Sequence, residues 1–519
     1  MNNDLSNIKK INITNKKILF FGFGGVAKCV LNYLQFYFEY DVKKIYIIEK
    51  CKTTLYGPNI NDIKQSNIII DTVSCVNFDK LLNQMEIKHD DIIIDLTFSS
   101  NTYYFVNKCL LLGINYINTS IEDENDSFFG TSINYQQQVV NKLFQDFKND
   151  KNKIRSNVLI ECGQNPGLIQ HYILYALNNL NKRINNTMED DYRPESMINA
   201  IKTCKVGTIL MSEIDNMFLK KETFNKNQNN KTKKNKVNKV NKQNKIYNTW
   251  SVVGLLKEGL DKAEIVEGGT LNKFIKPIIS DNIIDENKTN LVNSKSVDSN
   301  VVFLKECGMN SFMNSISPVL NKNGTHKFVK FNGNLIHHGE IFEMNHLFGK
   351  YAPFMSYVYK LNKYAAESVK TYFKNNKFDN DTDITIWLLN NCNSFEVYNN
   401  IGKPSKEQII GHDSIGCTLY CGDKNIEHIY WCGSILDTDN INVMNGFTPT
   451  IVQVAAGVLS GLSYIMESKK TKLGLIYSSE IDTNYILQKA VPLLGRFFFQ
   501  EIPINLFDKT LKITTKHII

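Results

Sequence analysis

The feature that most constrains the fold lies near the start of the chain, where an apolar run meets a glycine turn. Residues 18–21 read Ile-Leu-Phe-Phe, and Gly22-Phe23-Gly24-Gly25-Val26-Ala27 follows directly, before a helical pattern of apolar residues. In such a G-x-G-x-x-A turn, Gly22 allows the tight bend and Gly24 lets backbone N–H groups approach a pyrophosphate. Ala27 lets the helix pack closely on the strand. The motif therefore predicts a dinucleotide-binding domain.

A second strand supports this interpretation. Residues 44–48 form an apolar run that ends in Glu49, where a carboxylate can hold the ribose hydroxyls of NAD. Lys50 and Lys52 follow and leave room for a 2′-phosphate, so NADP stays an alternative. The other interpretation is an ordinary α/β turn with a solvated acid at the strand end. We predict NAD as the cofactor.

The rest of the first 165 residues alternates strands with helices. Strand-like runs cover 67–71, 91–96 and 158–161, a helix is predicted over 101–112, and GINYINTSIE contains a further short strand. Such alternation is typical of a doubly wound parallel sheet. The predicted class is α/β: a Rossmann-type sheet, a mixed α+β part and C-terminal helices that return to the Rossmann domain. The predicted domains are a dinucleotide-binding domain at 1–165, a substrate and dimerisation domain at 166–440, and a C-terminal helical segment at 441–519.

The positive net charge belongs to one segment. The chain has 519 residues and a formal charge of +8, but residues 220–245 hold ten Lys and one Glu. This segment contributes +9, which leaves −1 for the remainder, and the whole chain has four Arg. Because phosphate-binding surfaces usually combine Arg with Lys, nucleic acid is not a predicted partner. The segment is predicted to be a disordered insertion, and 281–300 a second polar loop.

Two further features bear on the compartment. No run of ~18 apolar residues predicts a membrane span, and the N-terminal residues lack the apolar core of a secretion signal. Eleven cysteines, an odd number without paired spacing, are typical of reduced thiols. We therefore expect a soluble cytoplasmic protein.

One group of potential metal ligands has another explanation. His412, Cys417, Cys421, His428 and Cys432 lie within 21 residues. They contain no C-x-x-C pair, and a β-hairpin with its turn at 422–425 would place Cys417 and Cys421 on one face. We predict no metal site and keep zinc as the alternative. A long helix rich in small residues is predicted to follow in TIVQVAAGVLSGLSYIM.

Several short motifs stand in order from about residue 17 to beyond residue 490. They are Gly22-x-Gly24, DDIIIDL (90–96), GINYINTSIE (113–122), GQNPGL (163–168), SEID (212–215), NTWSVVG (248–254), HHGE (337–340), YWCGS (430–434) and QVAAGVLSGL (453–462). As a set they resemble the NAD-dependent homospermidine synthase family, which shares its fold with saccharopine dehydrogenase-like enzymes.

The resemblance implies an aminoalkyl transferase of polyamine biosynthesis that acts as a homodimer. It would couple two putrescine molecules to homospermidine with release of ammonia, or couple putrescine with spermidine. The diamine would lose a hydride to NAD, exchange its amine as a Schiff base and regain the hydride from the same bound NADH. Such a reaction needs anions or π faces for a cationic chain, a proton-transfer group and a pocket that protects an imine from water.

Six residues are candidates for this chemistry. By resemblance the indole of Trp250 lies against the diamine, and the alternative is a buried core indole. Asn165 by resemblance lies near the nicotinamide or the substrate, and alternatively caps the following helix. His338 matches the family's histidine and could transfer protons near pH 7. For the acids, the alternative is a solvated surface carboxylate. The candidate catalytic set is Trp250, Glu213, Glu258, Asn165, His338 and Glu122.

The predicted cofactor residues come from the glycine turn and from the carboxyl ends of the parallel strands. They are Gly22, Gly24, Gly25, Val26, Ala27, Glu49, Thr97, Ser99 and Thr119.

The chain departs from the family pattern at two places. Ser99 stands roughly where relatives tend to carry a carboxylate after the fourth strand, and Val253 replaces the acid of SVDG. Two missing anions near the path of a dication leave the identity of the diamine open, and they suggest a pocket with few acids.

Two other functions remain as alternatives. The first is a reductase of the same fold, of the saccharopine or carboxynorspermidine type, although such enzymes normally use basic residues to hold a substrate carboxylate and this chain has few Arg. The second is a non-catalytic NAD-binding protein whose Lys- and Asn-rich segment contacts an acidic partner.

Overall fold

A computed structural model describes most of the chain. The described residues are 4–52, 55, 59–97, 101–121, 155–219, 246–279, 284, 300–375, 392–394, 409–440, 447–467, 474–506 and 511–516. The predictions for the insertion at 220–245 and for nearly all of 281–300 lie outside them.

The described elements alternate strands and helices in the first part of the chain and then become strand-rich. The strands are β1 Ile11–Asn12, β2 Ile18–Phe21, β3 Phe38–Glu39, β4 Ile45–Glu49, β5 Ile68–Ile70, β6 Ile92–Asp95, β7 Asn115–Asn118, β8 Asn157–Ile160, β9 Val206–Leu219, β10 Ile246–Asn248, β11 Lys262–Val266, β12 Val301–Cys307, β13 Ser311–Leu320, β14 His326–Leu335, β15 Phe354–Lys360, β16 Cys392–Ser394, β17 Ile409–Cys421, β18 His428–Asp437, β19 Gly474–Tyr477, β20 Arg496–Ile502 and β21 Ile513–Thr515. The helices are α1 Gly25–Tyr37, α2 Phe78–Gln84, α3 Thr102–Leu112, α4 Leu168–Asn185, α5 Pro194–Thr203, α6 Val252–Leu260, α7 Glu340–Phe348, α8 Lys363–Asn375, α9 Pro449–Met466 and α10 Thr483–Ala490.

The first sheet is parallel throughout and has seven strands in the order β19-β8-β7-β6-β2-β4-β5. The six strands from the N-terminal region follow the Rossmann order, with the first strand central and the order reversing between β2 and β6. Strands β2 and β6 are buried at every residue, as expected for apolar runs covered by helices on both faces. The α/β class and the predicted strands of this sheet are confirmed.

The C-terminal region returns to the parallel sheet. Strand β19 adds to the free edge of β8, and α9 packs against α1. Helix α9 begins with Thr448 as N-cap, whose hydroxyl accepts the Ile451 N–H, and with Pro449 in the first turn. It is long and apolar enough to cross a membrane by length and composition, but 83% of it is buried inside the fold. It is therefore a core helix.

The second sheet is mixed and has ten strands. Its main path is β20-β18-β17-β9-β15-β14-β13-β21, and β11 joins β12 to β15. Most pairs are antiparallel, but β9 and β15 run parallel. Strands β17 and β18 form the predicted hairpin, with Cys417 opposite Cys432.

Three apolar clusters hold the sheets together. One fills the outer face of the parallel sheet, around Phe21, Phe78 and Phe105, and another fills one face of the mixed sheet around Trp431. The largest runs from α1 through α4 and α9 to the other face of the mixed sheet. Because this core is continuous between the two sheets, the boundaries proposed at 165/166 and 440/441 remain predictions.

Candidate active site

The glycine turn after β2 fits a pyrophosphate. Gly22 has a φ of +76°, and a Cβ there would lie 3.0 Å from the Thr97 side chain on the neighbouring strand end. A Cβ on Gly24 would meet no atom within 4 Å, so the space in front of the turn is open. Gly24 is also the N-cap of α1 and provides no side-chain cap, which leaves the first N–H groups available to an anion.

Glu49 lies at the end of β4, beside this turn. Its Oε2 accepts the Phe23 N–H at 2.5 Å and its Oε1 accepts the Cys51 N–H at 3.2 Å. Each carboxylate oxygen keeps a second lone pair for a ribose hydroxyl. The buried carboxylate is therefore satisfied by backbone groups and stays fixed at the expected nucleoside position.

The remaining predicted cofactor residues that the structure describes lie along the same edge. Thr97 follows β6 and its hydroxyl donates to Asp95 Oδ1 at 2.6 Å. Thr119 follows β7 and faces the backbone of Gly163, 3.4 Å from a Cβ placed there. Ser99 lies outside the described residues. The roles of the predicted set stay predictions.

Asn165 joins the parallel sheet to the mixed sheet. It lies in the turn after β8, and its amide donates to the Tyr357 hydroxyl oxygen at 2.5 Å and to Glu213 Oε2 at 3.3 Å. The N-cap of α4 is Gly167, so the alternative role of Asn165 as the helix cap is wrong. Its side chain instead reaches strands β9 and β15 of the second sheet.

Three buried acids, Glu213, Asp215 and Asp413, lie close together. Glu213 is 3% exposed, and its Oε2 also accepts the Tyr357 hydroxyl at 2.7 Å. Glu213 Oε1 and Asp413 Oδ1 are both buried, and no amide of the described residues donates to either. The two carboxyls hydrogen-bond to each other when one carries a proton. Burial raises the pKa of Glu213 to about 7, and the charge of Asp215 adds to this shift.

Asp215 and Asp413 are held by polar side chains from other elements. The two acids face each other in the pairing of β9 with β17. Thr249 and Asn362 donate to Asp215 Oδ2 at 2.6 and 2.8 Å, and Thr450 donates to Asp413 Oδ2 at 2.7 Å. Burial raises the pKa of Asp215 to about 6 and that of Asp413 well above its usual range.

Trp250 is half-buried at the rim of this group. Its indole N–H donates to the Tyr359 hydroxyl oxygen at 3.3 Å, which fixes the orientation of the ring. Tyr359 lies on β15, two residues after Tyr357. A fully buried core indole is therefore not what the structure contains.

His338 stacks on Tyr357, with ring centroids 3.7 Å apart. Its Nδ1 lies 3.3 Å from Glu340 and its Nε2 lies 3.6 Å from Glu258. Burial alone would lower its pKa, but these carboxylates raise the pKa of His338 to about 9. These carboxylates favour the imidazolium form of His338 at neutral pH, and its role in proton transfer stays a prediction.

Glu258 does titrate in the neutral range. One quarter of its side-chain surface is exposed, and burial of the remainder, with the charges of Glu213 and Glu340, raises its pKa to about 7. Glu122, the last of the six candidates, lies outside the described residues. The structure therefore brings together five of the six predicted catalytic residues.

Several acids of the site were missed by the sequence analysis. The expectation that the pocket has few acids is wrong, because eight carboxyls lie in this region. Among the described residues, the basic partners in the ion pairs of these carboxyls are His337 and His338. The eight are Glu161, Glu213, Asp215, Glu258, Glu264, Glu340, Glu343 and Asp413. The dense SEID and HHGE motifs were a signal for some of them, but nothing local to the sequence links Asp413 or Glu161 to this site.

The first turn of α9 touches both halves of the site. Ile451 lies 2.8 Å from a Cβ placed on Gly25 of the glycine turn. Thr450 holds Asp413, and the Thr448 hydroxyl donates at 3.0 Å to the carbonyl of Thr249, the residue before Trp250. Helix α9 thus fixes the spacing between the glycine turn and the acidic group.

The cysteine and histidine group of β17 and β18 is built into the sheet. Cys421 lies opposite His428, and His412 lies opposite Asp437. Within the part of the chain that the structure describes, no three His, Cys, Asp or Glu side chains form a group that could hold a metal ion.

Comparisons with known proteins were made on sequence and on structure. Residues 18–151 match the model of the saccharopine dehydrogenase NADP-binding domain. The chain is 22% identical over 495 residues to a homospermidine synthase from Mesorhizobium japonicum, covering 92% of this chain and 88% of that protein. It is 21% identical over 488 residues to one from Blastochloris viridis, covering 92% and 89%.

The fold is also that of a solved relative. The homospermidine synthase from Legionella pneumophila, solved in complex with NAD, superimposes with a TM-score of 0.70 at 21% identity, covering 95% of this chain and 93% of that one. The resemblance inferred from the motifs is therefore confirmed over nearly the whole chain. The chain is similar to enzymes, and its N-terminal domain to a dinucleotide-binding one.

Proposed function

We propose that this protein is an NAD-dependent homospermidine synthase that couples two putrescine molecules with release of ammonia. The observation that carries the proposal is the buried acidic group around Trp250 and Glu213, placed beside the carboxyl edge of a dinucleotide-binding sheet. Buried carboxyls in such excess over basic groups are costly unless a cation joins them. A linear diamine, dicationic near neutral pH, is such a ligand.

The residues of the parallel sheet fit NAD. Gly24 and the uncapped start of α1 would hold the pyrophosphate, and Glu49 would hold the ribose hydroxyls. A 2′-phosphate would place negative charge against the Glu49 carboxylate, which favours NAD over NADP. When bound, NAD supplies an acceptor and donor of hydride, and its net oxidation state does not change over the reaction.

The amine that is oxidised must first be neutral, because an ammonium cannot give up hydride. Glu213 and Glu258, both with a pKa of about 7, can accept a proton and return it near neutral pH. Asp413 stabilises either protonation state of Glu213, since the two carboxyls can share one proton. Glu213 is thus the proposed proton-transfer group at the reacting nitrogen.

Trp250 and Asn165 would position the substrate. The indole face attracts a cation without supplying a base or reacting with an imine. The Asn165 amide, fixed on Glu213 and Tyr357, sets the distance between the dinucleotide edge and the proton-transfer group. His338, held as a cation, balances part of the negative charge so that the chain can fold before a substrate binds.

A one-way reductase of the same fold is the second candidate. Its substrates carry a carboxylate, which needs a basic partner, whereas the described charges of this site are acidic apart from the two histidines. This observation favours the diamine-coupling enzyme. Cytoplasmic location and a homodimer belong to the proposal as well.

Turnover with a catalytic amount of NAD distinguishes the coupling enzyme from the one-way reductase. The protein is incubated with excess putrescine and a sub-stoichiometric amount of NAD, without added reductant. The mass of the product is then measured. We expect homospermidine in many-fold excess over NAD, together with ammonia. Product limited to the amount of NAD, or a demand for added NADH, would reject the coupling reaction in favour of net redox chemistry.

A further inference from the structure

Glu161 is a buried acid that the chemistry above does not use. It follows β8 at the carboxyl edge of the parallel sheet, four residues before Asn165. The residue is 6% exposed. Buried polar groups in proteins are normally paired, so this carboxyl is suited to a donor that a ligand brings.

The carboxyl points at the loop that precedes α7. Its Oε1 lies 2.5 Å from the position that a Cβ on Gly339 would occupy, so an alanine there would require the carboxyl to move. Gly339 stands between His338 and Glu340, the pair that faces the proposed substrate site. Glu161 therefore reaches from the dinucleotide-binding sheet into the acidic group.

The surroundings of Glu161 are short of positive charge. Both carboxylate oxygens of Glu340 are buried and accept no hydrogen bond from the described residues, although His338 lies beside one of them. Burial and the charges of Glu343 and Glu340 raise the pKa of Glu161 to about 8, against a smaller opposing effect of His337 and His338. A cation with several N–H groups bound beside these carboxyls would favour their ionised forms, which burial opposes.

We infer that Glu161 binds one ammonium end of the diamine, together with Glu340. An ammonium carries three donors in a compact head, enough to reach both carboxyls. This assignment rests on the proposed function.

The test uses three variants of the full chain, saturated with NAD. Glu161→Gln keeps the shape of the side chain and removes its charge. Gly339→Ala keeps the charge and displaces the carboxyl. The matched control is Asp91→Asn, which changes a buried acid at the amino end of β6, outside the site, where the Lys17 and Lys88 N–H groups hold the carboxylate.

Two measurements are made on each variant: the steady-state constants for putrescine, and the rise in melting temperature that putrescine causes. For Glu161→Gln we expect the KM to rise ~10-fold or more with kcat within about twofold, because loss of a uniform binding contact acts on KM. We also expect its ligand-free melting temperature to rise, since a buried acid beside other carboxyls is removed, and its stabilisation by putrescine to fall. Gly339→Ala should raise KM less, and Asp91→Asn should lower stability and leave KM within about twofold.

Each outcome decides the assignment. A Glu161→Gln variant with wild-type KM and wild-type stabilisation by putrescine makes Glu161 a purely structural acid. Wild-type protein that putrescine stabilises but that forms no homospermidine contradicts the proposed function, and the stabilisation of the variants still tests Glu161. Wild-type protein that putrescine does not stabilise overturns the assignment.

Discussion

The two sheets treat buried negative charge in opposite ways. At the parallel sheet, Glu49 is buried, but backbone N–H groups of Phe23 and Cys51 donate to its two oxygens. At the junction with the mixed sheet, Glu213 and Asp413 are also buried, and each keeps an oxygen atom that no donor of the described residues reaches.

At the dinucleotide edge the buried carboxylate has its hydrogen-bond donors without a ligand, whereas some oxygens of the acidic group lack a donor among the described residues until a ligand binds. Backbone groups preorganise the dinucleotide edge, so its geometry hardly depends on what is bound. The acidic group carries an electrostatic cost in the free protein that a cation removes, and this raises the preference for cationic ligands. Function in the second region is thus coupled to stability, whereas in the first it is not.

The largest expected effect tests whether the dinucleotide edge is the NAD site. Gly24→Val should abolish NAD binding without unfolding the chain, because a side chain there enters open space where the pyrophosphate would lie. NAD affinity is measured by calorimetry and folding by the melting temperature. Wild-type affinity in this variant would place the cofactor site elsewhere.

A control at the neighbouring glycine shows the contrast. Gly22→Ala places a Cβ at a φ of +76° and 3.0 Å from Thr97, so it should lower the melting temperature and weaken NAD binding only as a consequence. Equal loss of stability in Gly22→Ala and Gly24→Val would mean that the open space at Gly24 is not a ligand site.

The parallel sheet could be predicted from the sequence for a simple physical reason. Strands β2 and β6 are short runs of mostly apolar residues, since both of their faces are buried, and the glycine turn marks the central strand. Each signal is local to a few residues. The one strand that could not be assigned in this way is β19, because its place beside β8 depends on a contact with a segment more than 300 residues earlier.

The acidic site was only partly predictable. Glu213 and His338 stand in dense motifs, but Asp413 reaches Glu213 through the register of β9 with β17, which no local pattern encodes. The raised pKa of His338 has the same kind of cause: the carboxylates beside its ring come from α6 and α7. Charge balance in a site is a property of the assembled elements.

Substitutions of Trp250 test whether the acidic region binds a cationic substrate. If the acidic region is built to hold cations, Trp250→Phe keeps a weaker π face and Trp250→Leu removes it, so kcat/KM should fall in the order Trp, Phe, Leu. We expect a total loss of ~10-fold or more, since ~1.4 kcal/mol of cation–π energy is tenfold. NAD affinity should hardly change.

The matching control for Trp250 is its hydrogen-bond partner. Tyr359→Phe removes the acceptor of the indole N–H but leaves both rings in place, so it should reduce activity less than Trp250→Leu does. If both Trp250 variants lose stability together and the folded enzyme turns over normally, the indole is only a packing residue.

The smallest effect is a pH dependence of the ligand-free protein, and its sign follows from the buried acids. The pKa of Glu161 is raised to about 8 and that of Glu213 to about 7, so between their unfolded values near 4.5 and these values the folded chain holds more protons than the unfolded chain. The free energy of unfolding must then fall as pH rises through this window. His338 acts in the same direction: its pKa of about 9 stabilises the fold below its usual value of 6.5, and this is lost as pH rises through 9.

We therefore expect the melting temperature without ligand to drop by several degrees between pH 5.5 and 8.5, since a tenfold difference in proton affinity between the folded and unfolded chain is worth ~1.4 kcal/mol. Saturating putrescine should flatten this slope, because a bound cation favours the ionised carboxyls that burial opposes. NAD alone should leave the slope unchanged, since Glu49 is already satisfied by backbone donors. A melting temperature that rises with pH over this range, or a slope that NAD removes as well as putrescine does, would show that the unmet negative charge is not confined to the junction of the two sheets.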